Sequence, residues 1–100
     1  MKTTSLRQFR QFAFLALAAA AAVKIENFQF SPGTLQIAAG DTVTWTNADE
    51  ELHALAADDG SFRSGGLTGD ASFAHTFDKP GSYGYRCTLH PQMTGTIVVR

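Results

Sequence analysis

The residues CTLHPQM at positions 87–93 gather the single cysteine of the chain, one of its three histidines and one of its two methionines. Cys87, His90 and Met93 follow a C-x2-H-x2-M spacing. A β-rich run precedes them and Gly95 opens another, so all three fall on one connecting loop that can curl its side chains around a common point. A thiolate, an imidazole and a thioether form a soft donor set, which favours copper over magnesium, calcium or manganese. Zinc accepts the cysteine and the histidine, but methionine suits it poorly. Taken singly, each residue has an ordinary structural reading: a small core thiol, a turn histidine before proline, a packing methionine. Their joint spacing is what points to a metal.

Three donors leave a copper site incomplete, because the blue-copper arrangement joins two histidines and a cysteine to a weak axial methionine. His53 is the candidate for the missing donor. It follows a β-rich stretch at 43–47, and a ligand from a distant strand ties the loop to the scaffold and fixes its geometry. His75 shares a strand face with Phe73 and Phe77 and has no cysteine or methionine beside it, so it reads as a core histidine with a hydrogen-bond partner. Trp45 likewise reads as core packing.

The elements that must position these residues are strands. Residues 23–30 are β-rich and end at Ser31-Pro32-Gly33; Leu35 and Ile37 alternate before Gly40-Asp41. Val43 and Trp45 alternate with Thr42, Thr44 and Thr46; Phe73, His75 and Phe77 share a face, as do Tyr83, Tyr85 and Cys87; residues 97–99 form the last strand. Residues 56–69, rich in Asp, Gly and Ser, read as a loop with a short strand near Phe62. Six to eight short strands broken by turns predict an all-β, antiparallel sandwich.

The first residues stand apart. Lys2, Arg7 and Arg10 precede an apolar run at 12–22, and Ala20 and Ala22 satisfy an A-x-A cleavage pattern ahead of Val23. Residues 1–22 therefore read as a secretory signal peptide and 23–100 as one domain, periplasmic or otherwise exported, with no stable membrane insertion after processing. An exported chain with one cysteine cannot form an internal disulfide. A bound metal would instead help to stabilise so small a core. The net charge is −1; removing the three leader bases leaves five basic residues against nine acidic ones, or −4. Glu26, Asp41, Asp49, Glu50, Glu51, Asp58 and Asp59 crowd a stretch with no lysine or arginine after Lys24 and before Arg63, which disfavours nucleic acid and suggests either a solvated face or a docking surface for a basic partner.

The segment GSYGYRCTLHPQMTGTIVV resembles the copper-loop hairpin of the cupredoxins, and its short ligand loop is most similar to that of the amicyanins. DTVTWTNADEELHAL resembles the strand and loop that deliver the first histidine in that family, and FDKPGSY the turn before the cysteine strand. The resemblance implies a Greek-key β-sandwich with one type 1 copper held by His53, Cys87, His90 and the axial Met93. It also implies a monomeric electron carrier rather than an enzyme, serving redox partners such as a dehydrogenase or cytochrome c. His90, ringed by Leu89, Pro91 and Leu67, would be the electron port. Two positions depart from the family pattern: Ala54 lacks the side chain that pins the copper loop in many relatives, and Leu89 stands where amicyanins carry proline. A copper carrier or buffering protein is the alternative function, although such proteins favour methionine-rich or paired-cysteine sites.

Overall fold

The computed structural model describes residues 19–100, so most of the leader expected over residues 1–22 lies outside the described residues. Eight strands follow in order: β1 (Ala20–Glu26), β2 (Gln29–Ser31), β3 (Thr34–Ile37), β4 (Thr42–Asn47), β5 (Leu55–Ala57), β6 (Ser72–Thr76), β7 (Gly81–Cys87) and β8 (Thr94–Val99). Strand β1 begins three residues ahead of the boundary expected at Val23.

The strands form two four-stranded sheets, ordered β2-β1-β4-β6 and β3-β8-β7-β5. Period-two alternation sets which side chains meet between them. In β4, Val43, Trp45 and Asn47 are buried while the intervening threonines are half-buried. On that outer face Thr42 and Thr76 share a hydroxyl hydrogen bond of 2.7 Å, and Thr46 and Ser72 one of 2.9 Å, cross-strand pairs that hold the β4–β6 register.

The sandwich is not wholly antiparallel. Strand β1 pairs in parallel with β4, and β3 in parallel with β8. The chain passes from the first sheet into the second between β2 and β3 and returns before β4, so β4 arrives beside β1 running the same way. Two further differences from the sequence reading are local. Residues 23–30 are a hairpin rather than one run, turning at Asn27 and Phe28, which have φ values of 57° and 58°. The expected loop at 56–69 overlaps β5, whose three residues pair with β7. Phe62 lies outside any strand, yet it is 5% exposed and packs on Trp45 with ring centroids 5.5 Å apart.

Trp45 is fully buried, edge-on to Tyr85 at 5.4 Å. His75 is held by aromatic packing, with its ring stacked on Phe62 at 5.0 Å and edge-on to Phe77 at 4.8 Å. The hydrogen-bond partner expected for it is not found among the described residues. No helix among them is long and apolar enough to cross a membrane.

Candidate metal centre

One end of the sandwich collects the ends of β4 and β7 and the start of β8. Cys87 is the last residue of β7 and pairs with Leu55 of β5, which fixes its backbone on that side. The loop beyond it is closed by its own main chain: Cys87 N–H donates to Met93 O at 3.0 Å and Met93 N–H to His90 O at 2.9 Å. Thr88 N–H donates to Ala54 O at 2.8 Å. The ladder between β5 and β7 therefore runs on for one more bond, and the main chain at Ala54 tethers the loop where its side chain cannot.

His53 reaches the same place from the loop after β4. Its N–H donates to Leu67 O at 3.2 Å and its C=O accepts from Leu67 N–H at 2.6 Å. Asn47, fully buried at the end of β4, shapes that loop: its Nδ2 donates to Glu51 O and to Leu67 O, both at 2.8 Å, and its Oδ1 accepts from Asp49 N–H at 2.9 Å.

The three donor atoms of His53, Cys87 and His90 all lie within 4.8 Å of one another. The Cys87 Sγ is 3.7 Å from His53 Nδ1 and 3.6 Å from His90 Nδ1. The first of these is a hydrogen bond only if the Cys87 thiol donates its S–H to Nδ1; a thiolate there makes none. His53 Nε2 lies 2.9 Å from Asp49 Oδ2, and an ionised carboxylate only accepts, so Nε2 carries the proton and Nδ1 presents a lone pair toward the sulfur. Two donors facing each other across 3.7 Å suit a third atom between them. Metal bonds of about 2.0 Å to nitrogen and 2.3 Å to sulfur, opened to near 120°, set their outer ends about 3.7 Å apart. The donor set thus fits a soft first-row ion, and the proton on Nε2 is where a metal-ligating imidazole carries it. Met93 is 4% exposed and held in the same loop by both its N–H and its C=O.

Asp49 is a functional residue that the sequence reading placed only within an acidic stretch. Burial alone would raise its carboxyl, but hydrogen bonds from Phe28 N–H (3.0 Å), Asn27 N–H (2.7 Å) and His53 outweigh that and hold it below the ordinary carboxylate range. The turn it binds has both central residues in the left-handed region, a two-residue hairpin geometry normally given to Asn-Gly. A phenylalanine there is strained. The position sets the Phe28 ring edge-on to both imidazoles, 5.1 Å from His53 and 4.9 Å from His90.

His53 and Cys87 are fully buried, whereas His90 is half-buried. The apolar rim differs from expectation. Leu67 is 6% exposed, because its backbone is bonded to His53 on the inside of the loop. Among the described residues the large apolar side chains open to solvent are Phe28 (41%), Leu52 (45%) and Leu89 (50%), so an exposed leucine directly precedes each of the two histidines.

The acidic stretch is likewise not one face. Asp41 and Asp49 are bound inward by backbone N–H groups, and Asp58 pairs with Arg86 at 2.7 Å. Glu50, Glu51 and Asp59 remain exposed.

Two sheets closed over one core, with two imidazoles and a thiol converging at one end, are the architecture of the cupredoxins. The chain belongs to the plastocyanin/azurin family of copper-binding proteins, whose sequence profile matches residues 17–100. It is 38% identical over 85 residues to the amicyanin of Paracoccus versutus, an alignment covering 80% of this chain and 64% of that protein. The crystal structure of that amicyanin superposes with a TM-score of 0.76 at 37% identity, covering 81% of each chain. A purple cupredoxin from Nitrosopumilus maritimus superposes with a TM-score of 0.74 at 32% identity, covering 80% of this chain and 99% of the other.

Proposed function

We propose that the protein is an exported carrier of single electrons, holding one type 1 copper on His53, Cys87, His90 and Met93. The observation that carries this reading is the convergence of two imidazole Nδ1 atoms on one buried sulfur, at 3.7 and 3.6 Å. Copper bound there supplies a one-electron couple. Everything else the site requires comes from the chain. Asp49 fixes the tautomer and tilt of His53, the β5–β7 ladder fixes Cys87, and the 88–93 turn fixes His90 and Met93 through main-chain bonds. Donors held this firmly keep their places when the charge of the site changes. Little rearrangement then accompanies gain or loss of an electron. Full burial of His53 and Cys87 shields the donors from water, and the partly exposed His90 is the route by which a partner makes electronic contact. Phe28, Leu52, Leu89 and Pro91 give that partner a dry apolar surface.

The partner is a larger redox protein such as a dehydrogenase or cytochrome c, and the exposed Glu50 and Glu51 beside Leu52 favour one whose rim is basic. No substrate is transformed, so the protein is not an enzyme. A copper carrier or buffer needs a site that exchanges its metal, and fully buried His53 and Cys87 weigh against that.

The test is the visible spectrum of the copper-loaded protein, with Cys87→Ser as control. The expected result is an intense blue thiolate-to-copper absorption that bleaches and recovers with reductant and oxidant, and that the variant lacks. A colourless protein that exchanges Cu(I) would support the carrier reading instead.

A further inference from the structure

The pole opposite the metal centre contains a buried carboxylate that has no counter-charge among the described residues. Asp41 is 8% exposed. Its Oδ1 accepts from Ala19 N–H at 3.0 Å and its Oδ2 from Ala38 N–H at 2.9 Å. The same two N–H donors hold its carboxyl below the ordinary value of 3.8, so it is ionised at neutral pH. No cationic side chain lies within ion-pair distance of it among the described residues. Arg100 lines the same groove of about 360 Å3 but bonds to Gln36. A buried charge ordinarily has a partner of opposite sign.

Ala19 sits where such a partner is needed. Besides its N–H on Asp41, its C=O accepts from Thr42 N–H at 3.2 Å, and the parallel ladder continues through Ala20, Ala21 and Ala22 against Thr42, Val43 and Thr44. Ala21 packs against the core. A leader cut after Ala22 would leave Val23 first, removing three rungs of that ladder together with the Ala19–Asp41 bond. A cut after Ala20 would also remove Ala19. Directly ahead of Ala19 the sequence reads Ala16-Leu17-Ala18, which meets the small-x-small requirement of a leader-removing protease.

We infer that the leader is removed between Ala18 and Ala19, and that the new α-ammonium group of Ala19 is the counter-charge of Asp41. The chemistry is hydrolysis: water adds across the Ala18–Ala19 peptide bond, leaving a carboxylate on Ala18 and an ammonium on Ala19. The nitrogen that donates one hydrogen bond to Oδ1 in the uncut chain gains a positive charge and two further donors in place. The open groove lets those donors reach water. Processing would thus complete the fold at this pole, converting a neutral hydrogen bond into a charged one.

This inference rests on the export reading, and one experiment separates the two. The full chain is expressed with its own leader, the exported fraction is recovered, and intact mass and N-terminal sequencing identify its first residue. Ala19 is the expected result. A chain beginning at Val23, at any other internal residue or still at Met1 overturns the inference and leaves export intact; the absence of any exported fraction overturns both. The ion pair is then tested by placing Asp41→Asn in chains that begin at Ala19 and at Ala18. Loss of the pair should lower the melting temperature of the Ala19 chain by roughly 4–8 °C more than that of the extended chain. Equal losses in the two backgrounds overturn the pairing.

Discussion

Replacing Asp49 by alanine probes the link between the scaffold and the donors most directly. Its carboxylate takes three hydrogen bonds, at 2.7, 3.0 and 2.9 Å, from Asn27, Phe28 and His53. The losses are unequal. Asn27 and Phe28 are exposed, so their N–H groups turn to water and each costs about 0.5–1 kcal/mol. His53 is fully buried, and a buried donor left without an acceptor costs about 1–3 kcal/mol. The hairpin turn also loses what held Phe28 in a left-handed conformation. The sum is about 2–5 kcal/mol, which in a domain of this size lowers the melting temperature of the metal-free protein by roughly 8–40 °C. Copper affinity, read by competition with a chelator of known strength, should fall about 10–100-fold, because nothing then selects the tautomer that leaves Nδ1 free. Asp49→Asn keeps an acceptor oxygen and should lie between. If Asp49→Ala changed stability by less than about 0.5 kcal/mol and left copper affinity unaltered, the carboxylate would not be what orients His53.

Two predictions concern the core beneath the site. A Cβ at Gly95 would stand 2.4 Å from the Tyr85 ring and hydroxyl, and Tyr85 is 1% exposed with no room to retreat; Gly95→Ala should therefore cost about 1–3 kcal/mol or more in chemical denaturation. Burial pushes the Tyr85 hydroxyl up to about 12, and among the described residues neither it nor the neighbouring Trp45 Nε1 has a hydrogen-bond partner. Tyr85→Phe should thus be neutral or stabilising in the same assay, and a loss above about 1 kcal/mol would show that the two groups bond to each other.

How far the sequence revealed this molecule depends on the range of each interaction. The copper loop was readable because its residues are close in the chain and chemically distinctive, and His53 could be sought because a donor was missing. The alternating faces of β4 and β7 were readable because strand periodicity is local. Asp49 was not, since a carboxylate facing inward and one facing water look alike in an acidic stretch; only its place four residues before a histidine hinted at its role. The turn at Asn27 and Phe28 went unread because phenylalanine is no turn former, and what compensates for it is a carboxylate 21 residues away. The parallel pairing of β1 with β4 was hidden for a different reason: it depends on where the chain changes sheets, which no window of sequence records. Even the rim illustrates this. Leu67 and Leu52 are both leucines in loops, and only the bonds between Leu67 and His53 decide which of them faces inward.

The parallel pair β3–β8 joins residues 34–37 to 96–99. The second sheet cannot close until β8 has left the ribosome, since β8 lies between β3 and β7. Contacts so distant in sequence form slowly. If the chain is exported, as proposed above, that delay is useful: a polypeptide still open can be threaded through a membrane channel. Metal capture, which needs β4, β5, β7 and the turn into β8 at once, would then fall on the far side.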